Sequence, residues 1–222
     1  MKTLPIVIFG AGDIAQLANY YFEADSEFEP VAFTVDREYF EHDEFEGRRV
    51  IPADEVVKEY PPDRYGMFVA LSYSRMNHDR ETKYLLARSM GYRLVSYVSS
   101  RCTWLTQYPH GDNCFILEDN TVQPFVKIGS NVMLWSGNHI GHHSTIHDHN
   151  FVSSHVVISG HCEIEPFCFL GVNSTIAHWI RVGQESLIGA GVTITKDTAP
   201  GGVWVPAQQP RLLDRRSIDV KL

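Results

Sequence analysis

The chain is poor in cysteine, in positive charge and in long apolar runs. Its 222 residues include four cysteines, Cys102, Cys114, Cys162 and Cys168, with no CxxC pair among them. Free thiols in a reducing, cytoplasmic setting are therefore expected in place of a disulfide framework. Lysine and arginine number 19 against 27 acidic residues, a formal charge of -8. A nucleic-acid or anionic-membrane partner would need a basic face, so neither is expected, and a small molecule is favoured instead. No run approaches the roughly 18 apolar residues that span a bilayer. The amino-terminal stretch MKTLPIVIF is interrupted by Gly10, Gly12 and Asp13 before it could serve as the apolar region of a signal peptide.

With 44% hydrophobic residues, the chain is long enough for one large domain or two small ones, each with a core. Two periodicities divide it. In the first hundred residues, strand-like and helix-like segments alternate: strands at 4–9, 30–35, 66–71 and 93–98, helices at 12–24 and 76–91. In the second helix, Leu85, Leu86 and Met90 fall at helical spacing. Such alternation predicts a small Rossmann-like parallel α/β sheet over residues 1–100. The turn Gly10-Ala11-Gly12-Asp13-Ile14-Ala15 reads GxGxxA between a strand and a helix, and Asp36 closes the next strand. This is the layout of a dinucleotide fingerprint, phosphate at the helix start and acid at a ribose, although any tight βα turn could look the same. A hundred residues are too few for a full six-strand dinucleotide fold, so a half-sized nucleotide site is expected over an NAD-dependent oxidoreductase.

From residue 116 every sixth position is aliphatic: Ile116, Val122, Ile128, Leu134, Ile140, Ile146, Val152, Ile158, Ile164, Leu170, Ile176, Val182, Ile188 and Ile194. Glycine follows several of them (Gly129, Gly141, Gly171, Gly183, Gly189), which suggests tight corners there. A hexapeptide period implies three short strands per turn of a triangular parallel β-helix, here over 101–222 with a carboxy-terminal tail. Seven of the eleven histidines, His139, His142, His143, His147, His149, His155 and His161, fall within 23 residues of this repeat. With 18 residues per coil, residues i and i+18 stack about 4.8 Å apart. His142 then sits under Gly160 with His178 one coil further up, His143 under His161, and His155 under Asn173. Only His143 and His161 are close enough to share a metal, and no third ligand is evident, so no metal is expected.

The stretches IVIFGAGDIAQ, VAFTVD, SYSRMN, GYRLVSYVSS, FLGVNSTI and LIGAGVTITKD together resemble the bacterial hexapeptide-repeat sugar acyltransferases, the group of the sialic-acid O-acetyltransferases and the UDP- or dTDP-4-amino-sugar N-acetyltransferases. The resemblance implies a left-handed β-helix, a homotrimer with the acyl donor between subunits, and acetyl-CoA as co-substrate. It implies transfer of an acetyl group to a nucleotide-linked 4-amino-4,6-dideoxy sugar in surface glycan synthesis. In Gly141-His142-His143-Ser144-Thr145-Ile146-His147-Asp148 it places a general base at His142, and it places an oxyanion-binding N–H at Gly160, the residue that stacking also sets above His142. Histidine's ordinary pKa of about 6.5 suits such a base. For the sugar nucleotide it implies Gly10, Gly12, Asp13, Asp36, Ser72 and Tyr73, and for the acyl donor Gly171, Gly189 and Ala190.

Three departures from the family pattern stand out. The acid that should orient the base is His143 here, leaving Asp148 and Glu163 as candidate substitutes. A second family histidine falls at Phe151. The terminal motif of the family is replaced by Trp204-Val205-Pro206-Ala207-Gln208. A sialic-acid-type O-acetyltransferase and a non-catalytic nucleotide-sugar-binding protein are the rival expectations.

Overall fold

The structure, a computed structural model, describes residues 2–207; Gln208 of the terminal motif and the rest of the tail lie outside the described residues. The first domain runs β1 (Leu4–Phe9), α1 (Asp13–Ala24), β2 (Phe28–Val35), β3 (Glu44–Phe45), β4 (Arg48–Pro52), α2 (Val56–Glu59), β5 (Gly66–Val69), α3 (His78–Ser89) and β6 (Arg93–Leu94). The sheet order is β3-β4-β2-β1-β5-β6, parallel except for β3 against β4. Strands β1 and β5 are continuous apolar runs because both sheet faces are covered. On one face Ile6, Ile8 and Phe68 meet Ala15, Ala18 and Phe22 of α1. On the other, Val7, Phe9, Met67 and Val69 meet Tyr84 and Ala87 of α3.

Three expectations for this domain need correcting. The β3–β4 hairpin was not anticipated; its turn places Glu46 and Gly47 at φ 50° and 71°, the two left-handed residues that a two-residue hairpin favours. The segment 93–98 is not one strand: β6 joins the first sheet, whereas Tyr97–Val98 pairs with Phe115–Ile116 of the solenoid. In α3, Leu85 faces solvent, and the inward face is made by Arg80, Tyr84 and Ala87.

The second domain is the β-helix that the period of six predicts. Its two-residue strands stack into three sheets. The first face contains His139–Ile140, Val157–Ile158 and Thr175–Ile176; the second Thr145–Ile146, Glu163–Ile164 and Arg181–Val182; the third Phe115–Ile116, Met133–Leu134, Phe151–Val152 and Phe169–Leu170. All fourteen periodic aliphatics are buried inside the prism. Several polar interior residues bond to the next coil: the Asn138 Oδ1 accepts the Val156 N–H, the Asn150 Oδ1 the Cys168 N–H, and the Ser144 hydroxyl the Cys162 N–H. Cys114, Cys162 and Cys168 are buried free thiols, and burial pushes Cys114 and Cys168 up to about 12. None of these three is a nucleophile.

The corners turn differently from the sequence expectation. Left-handed residues recur every six positions from Asn113 to Gly191, and they include His143, His149, His155 and His161 at φ 58–63°. Asparagine, aspartate, histidine and glycine tolerate this region best, so part of the histidine concentration is a corner requirement. Glycines 129, 141, 171, 183 and 189 have no left-handed φ. They are needed for close approach: a Cβ on Gly141 would lie 2.5 Å from the Ser159 carbonyl carbon and 2.6 Å from the Gly160 nitrogen.

The third face carries the first domain. Phe115, Leu117, Met133 and Phe151 share one apolar cluster with α1 and the sheet. Arg80 locks the junction. Although fully buried, its guanidinium donates to the carbonyl oxygens of Ser72, Asn131, His149 and Asn150 and to the side-chain oxygens of Asn77 and Asn131. Burial pulls its pKa down; six neutral acceptors answer that cost with hydrogen bonds. No described helix is long and apolar enough to cross a membrane.

Candidate active site

Two separate regions hold the residues singled out by the sequence. The first is a cleft of about 740 Å³ at the carboxyl ends of β1, β2 and β5, lined among others by Gly10, Gly12, Asp13, Asp36, Ser72 and Lys83. This edge of a parallel sheet is where such folds bind ligands. Gly10 has φ 125°, and a Cβ there would sit 2.9 Å from the Ala70 carbonyl oxygen, so no larger residue fits. At Gly12 a Cβ would meet nothing within 4 Å; this side of the turn opens to the cleft, at the amino end of the twelve-residue α1. Asp36 binds Lys83, Nζ to Oδ2 at 2.7 Å.

Lys83 was missed because a lysine on an amphipathic helix reads as solvated. Ser72 lines the cleft, with its carbonyl held by Arg80. Tyr73 does not line it; its ring packs on Phe151 and Phe169 of the solenoid, centroids 5.0 and 4.8 Å away. Arg75, Met76 and Asn77 are three successive left-handed residues, of which Arg75 lines the cleft. Such strain persists only where neighbours enforce it. Here Asn77, buried, donates to the Phe167 and Cys168 carbonyls and accepts from Arg80.

The second region is the corner between the first and second faces, where His142, Gly160 and His178 form one column. A Cβ on Gly160 would lie 2.9 Å from His142 Nε2, 2.8 Å from its Cε1 and 2.9 Å from His178 Cε1. Thus the Nε2 edge of His142 faces the Gly160 backbone. Gly160 is buried, and its N–H donates to no acceptor among the described residues. Beside a histidine nitrogen this N–H makes a ready donor to a developing oxyanion.

The residue beside His142 departs from the expected carboxylate. His142 Nδ1 lies 3.0 Å from His143 Nδ1, so one nitrogen donates and the other accepts. Neither carboxylate substitute serves this purpose: Glu163 binds His147 at 3.0 Å, and Asp148 Oδ1 accepts the Ser130 N–H. His143 is held between the rings of Phe125 and His161, with centroids at 4.5 and 4.8 Å, and His161 stacks on Trp179 at 3.9 Å. Burial, and then the imidazoles of His143, His142 and His178, hold His161 below the usual histidine range.

A third group of titratable side chains joins α3 to the corner between the second and third faces. His149, nearly buried, receives the Asn131 amide on Nδ1 and has Nε2 3.8 Å from Glu81; His78 bridges Glu81 and Glu185. Burial holds His149 below its ordinary pKa, against Glu81 and Asp148, which raise it, while Arg80 and His78 lower it further. The unfolded chain therefore takes up this proton at a higher pH than the folded one, and stability falls as pH drops through about 6.5. Urea unfolding at pH 7.5 and 5.5 should show this loss, and His149→Asn, which keeps a residue at ease at φ 63°, should make the slope shallower. An equal slope in both proteins would refute the assignment.

Gly171, Gly189 and Ala190 lie at yet another corner, between the third and first faces, with a Gly171 Cβ only 2.7 Å from the Ala190 nitrogen. The first domain covers the third face, and the His142 corner is the one opposite it. Within one chain, then, the cleft and His142 are on opposite sides of the solenoid.

Residues 125–160 and 161–196 match the bacterial transferase hexapeptide family, a motif of six repeats, in two consecutive blocks. The chain also superposes on solved structures. The acetyltransferase domain of PglB from Neisseria gonorrhoeae aligns with a TM-score of 0.79 at 18% identity, over 90% of this chain and 96% of that one. PerB from Caulobacter crescentus, solved with CoA and GDP-perosamine, aligns with a TM-score of 0.77 at 17% identity, over 90% and 92%. WeeI from Acinetobacter baumannii gives a TM-score of 0.76 at 19% identity, over 90% and 96%. Residues 125–196 of the second domain are therefore similar to the bacterial transferase hexapeptide repeats, and the whole chain shares the α/β-plus-left-handed-β-helix fold of the gonococcal and Caulobacter structures.

Proposed function

We propose that the protein is an acetyl-CoA-dependent N-acetyltransferase acting on a nucleotide-linked 4-amino-4,6-dideoxy sugar in surface glycan synthesis. One observation carries this reading: the His142 Nε2 edge faces Gly160, whose N–H has no acceptor among the described residues, the pair of groups that acyl transfer from a thioester uses. The PglB domain has also been solved with acetyl coenzyme A, and PerB with CoA and a nucleotide sugar. Both support the donor and the acceptor class.

Acetyl-CoA supplies the activated carbonyl. The acceptor nitrogen attacks it, and His142 Nε2 takes the N–H proton as the C–N bond forms. The Gly160 N–H holds the negative oxygen until the C–S bond breaks, and the proton leaves with the thiol. His143 positions the base by keeping Nδ1 engaged, so that the lone pair is on Nε2. Gly171, Gly189 and Ala190 are proposed donor contacts. The Gly10–Gly12 turn and the start of α1, with Asp13, receive the phosphates; Asp36, with Lys83, faces the nucleobase, and Ser72 flanks the sugar. With cleft and base on opposite sides of one chain, the acceptor held by one copy reaches His142 of another, in a homotrimer.

A neutral imidazole stabilises the protonated base less than a carboxylate would. His143→Asp should therefore raise the acid-limb pKa of kcat/KM by about one unit, with the plateau rate within about tenfold of wild type; an unmoved limb would remove His143 from its role. The acceptor class is tested by following thiol release from acetyl-CoA with UDP-, dTDP- and GDP-linked 4-amino sugars and with free sialic acid. Release with a nucleotide amino sugar is expected. Release with sialic acid alone would make the protein an O-acetyltransferase, and silence throughout would favour a binding protein.

A further inference from the structure

Four imidazoles crowd the corner that carries His142. The donor nitrogens of His142, His143 and His161 lie within 4.8 Å of one another, an arrangement in which the sequence suggested only two of the three. The His178 ring centroid is 6.0 Å from that of His142 and 5.5 Å from that of His161. A four-coordinate zinc ion, with Zn–N bonds of about 2.0–2.1 Å, sets its nitrogen ligands roughly 3.4 Å apart. The observed 3.0 Å between His142 Nδ1 and His143 Nδ1 is already close to that spacing.

The donor set is all nitrogen. The nearby carboxylates are engaged elsewhere, Glu163 with His147 and Arg181, and Asp148 with the Ser130 N–H. Imidazole donors suit zinc, cobalt, nickel and copper, whereas magnesium and calcium want oxygen. The His143 and His161 rings are stacked 8° from parallel, so a small rotation about χ2 of one ring is needed for both in-plane lone pairs to meet one ion.

We propose that His142, His143 and His161 form a binding site for a divalent transition-metal ion, and that the bound ion silences His142 as a base. A neutral imidazole carries one proton. With the metal on His142 Nδ1, that proton must sit on Nε2, and the nitrogen facing Gly160 has no lone pair to offer. This second half rests on the acyl-transfer reading above; the binding half does not.

The test uses the full chain without a histidine tag, titrated with cobalt(II). One equivalent should bind with the strong visible absorption of four- or five-coordinate cobalt, and zinc should displace it. His143→Asn and His161→Asn, both suited to left-handed corners, should each weaken binding about tenfold or more. His147→Asn, outside the cluster, should leave it unchanged. A weak six-coordinate spectrum, or binding unaffected by His161→Asn, would overturn the site. In the acetyl-transfer assay, stoichiometric zinc should abolish thiol release and EDTA restore it; full activity with zinc bound would overturn the silencing. The cobalt spectrum needs no acceptor, so a chain with no transferase activity could still show the metal site.

Discussion

His142→Ala should lower kcat for acetyl transfer by about 100- to 10,000-fold, the usual contribution of a positioned general base. The side chain lies at the surface of a corner, outside the prism core, so the melting temperature should change little. Its backbone contacts persist: the His142 N–H donates to Gln123 and its carbonyl accepts the His161 N–H. Gly160→Ala probes the same point from the other side. Gly160 has no left-handed φ, so alanine suits the backbone, but its Cβ would press on His142 Cε1 and Nε2 at 2.8 and 2.9 Å. A loss of similar order is expected, with the fold retained. A His142→Ala rate within threefold of wild type would move the base elsewhere on the solenoid.

Arg80→Met should destabilise the protein by about 3–5 kcal/mol, measured by urea unfolding. The substitution leaves four buried acceptors on two domains, the Ser72, Asn131 and His149 carbonyls and Asn77 Oδ1, without a donor, whereas Asn131 Oδ1 keeps the Asn113 amide and the Asn150 carbonyl keeps the Met133 N–H; orphaned buried acceptors cost about 1–3 kcal/mol each before relaxation. Arg80→Lys keeps the charge, but a single ammonium cannot span the fork, so a smaller yet clear loss is expected. Because Arg80 holds the carbonyl of Ser72, which lines the cleft, nucleotide affinity should weaken in both variants. A change under 0.5 kcal/mol would mean that the apolar interface alone holds the domains together.

The period of six revealed the solenoid because every sixth side chain must enter a prism that admits only aliphatics, and that constraint is written in the residues themselves. The stacking of Gly160 on His142, and of His161 on His143, followed from the same count. The Gly10 turn was readable because only glycine allows the backbone to pass the Ala70 carbonyl.

What escaped reading depends on side-chain direction. Arg80 is not singled out by the sequence, since nothing in its own helix reveals the carbonyls of coils 51 to 70 residues away. His142 and His143 belong to neighbouring columns, and only the bend of the corner turns their Nδ1 atoms together. The glycines after the aliphatics were taken for corner formers, whereas the left-handed residue comes two positions later, where histidine and asparagine also serve.

The central claim is that the nucleotide cleft and His142 serve one reaction although they lie on opposite sides of each chain. Mixed assemblies of two disabled proteins test it most directly. His142→Ala lacks the base; Gly12→Leu fills the cleft at a position where a Cβ meets open space, so its fold should be intact. Each protein alone should be nearly inactive in thiol release, and unfolding and refolding them together should restore activity, because some assemblies place an intact cleft beside an intact His142. If the mixture remains as silent as its parents while the wild type, refolded in the same way, is active, the shared site between copies is contradicted.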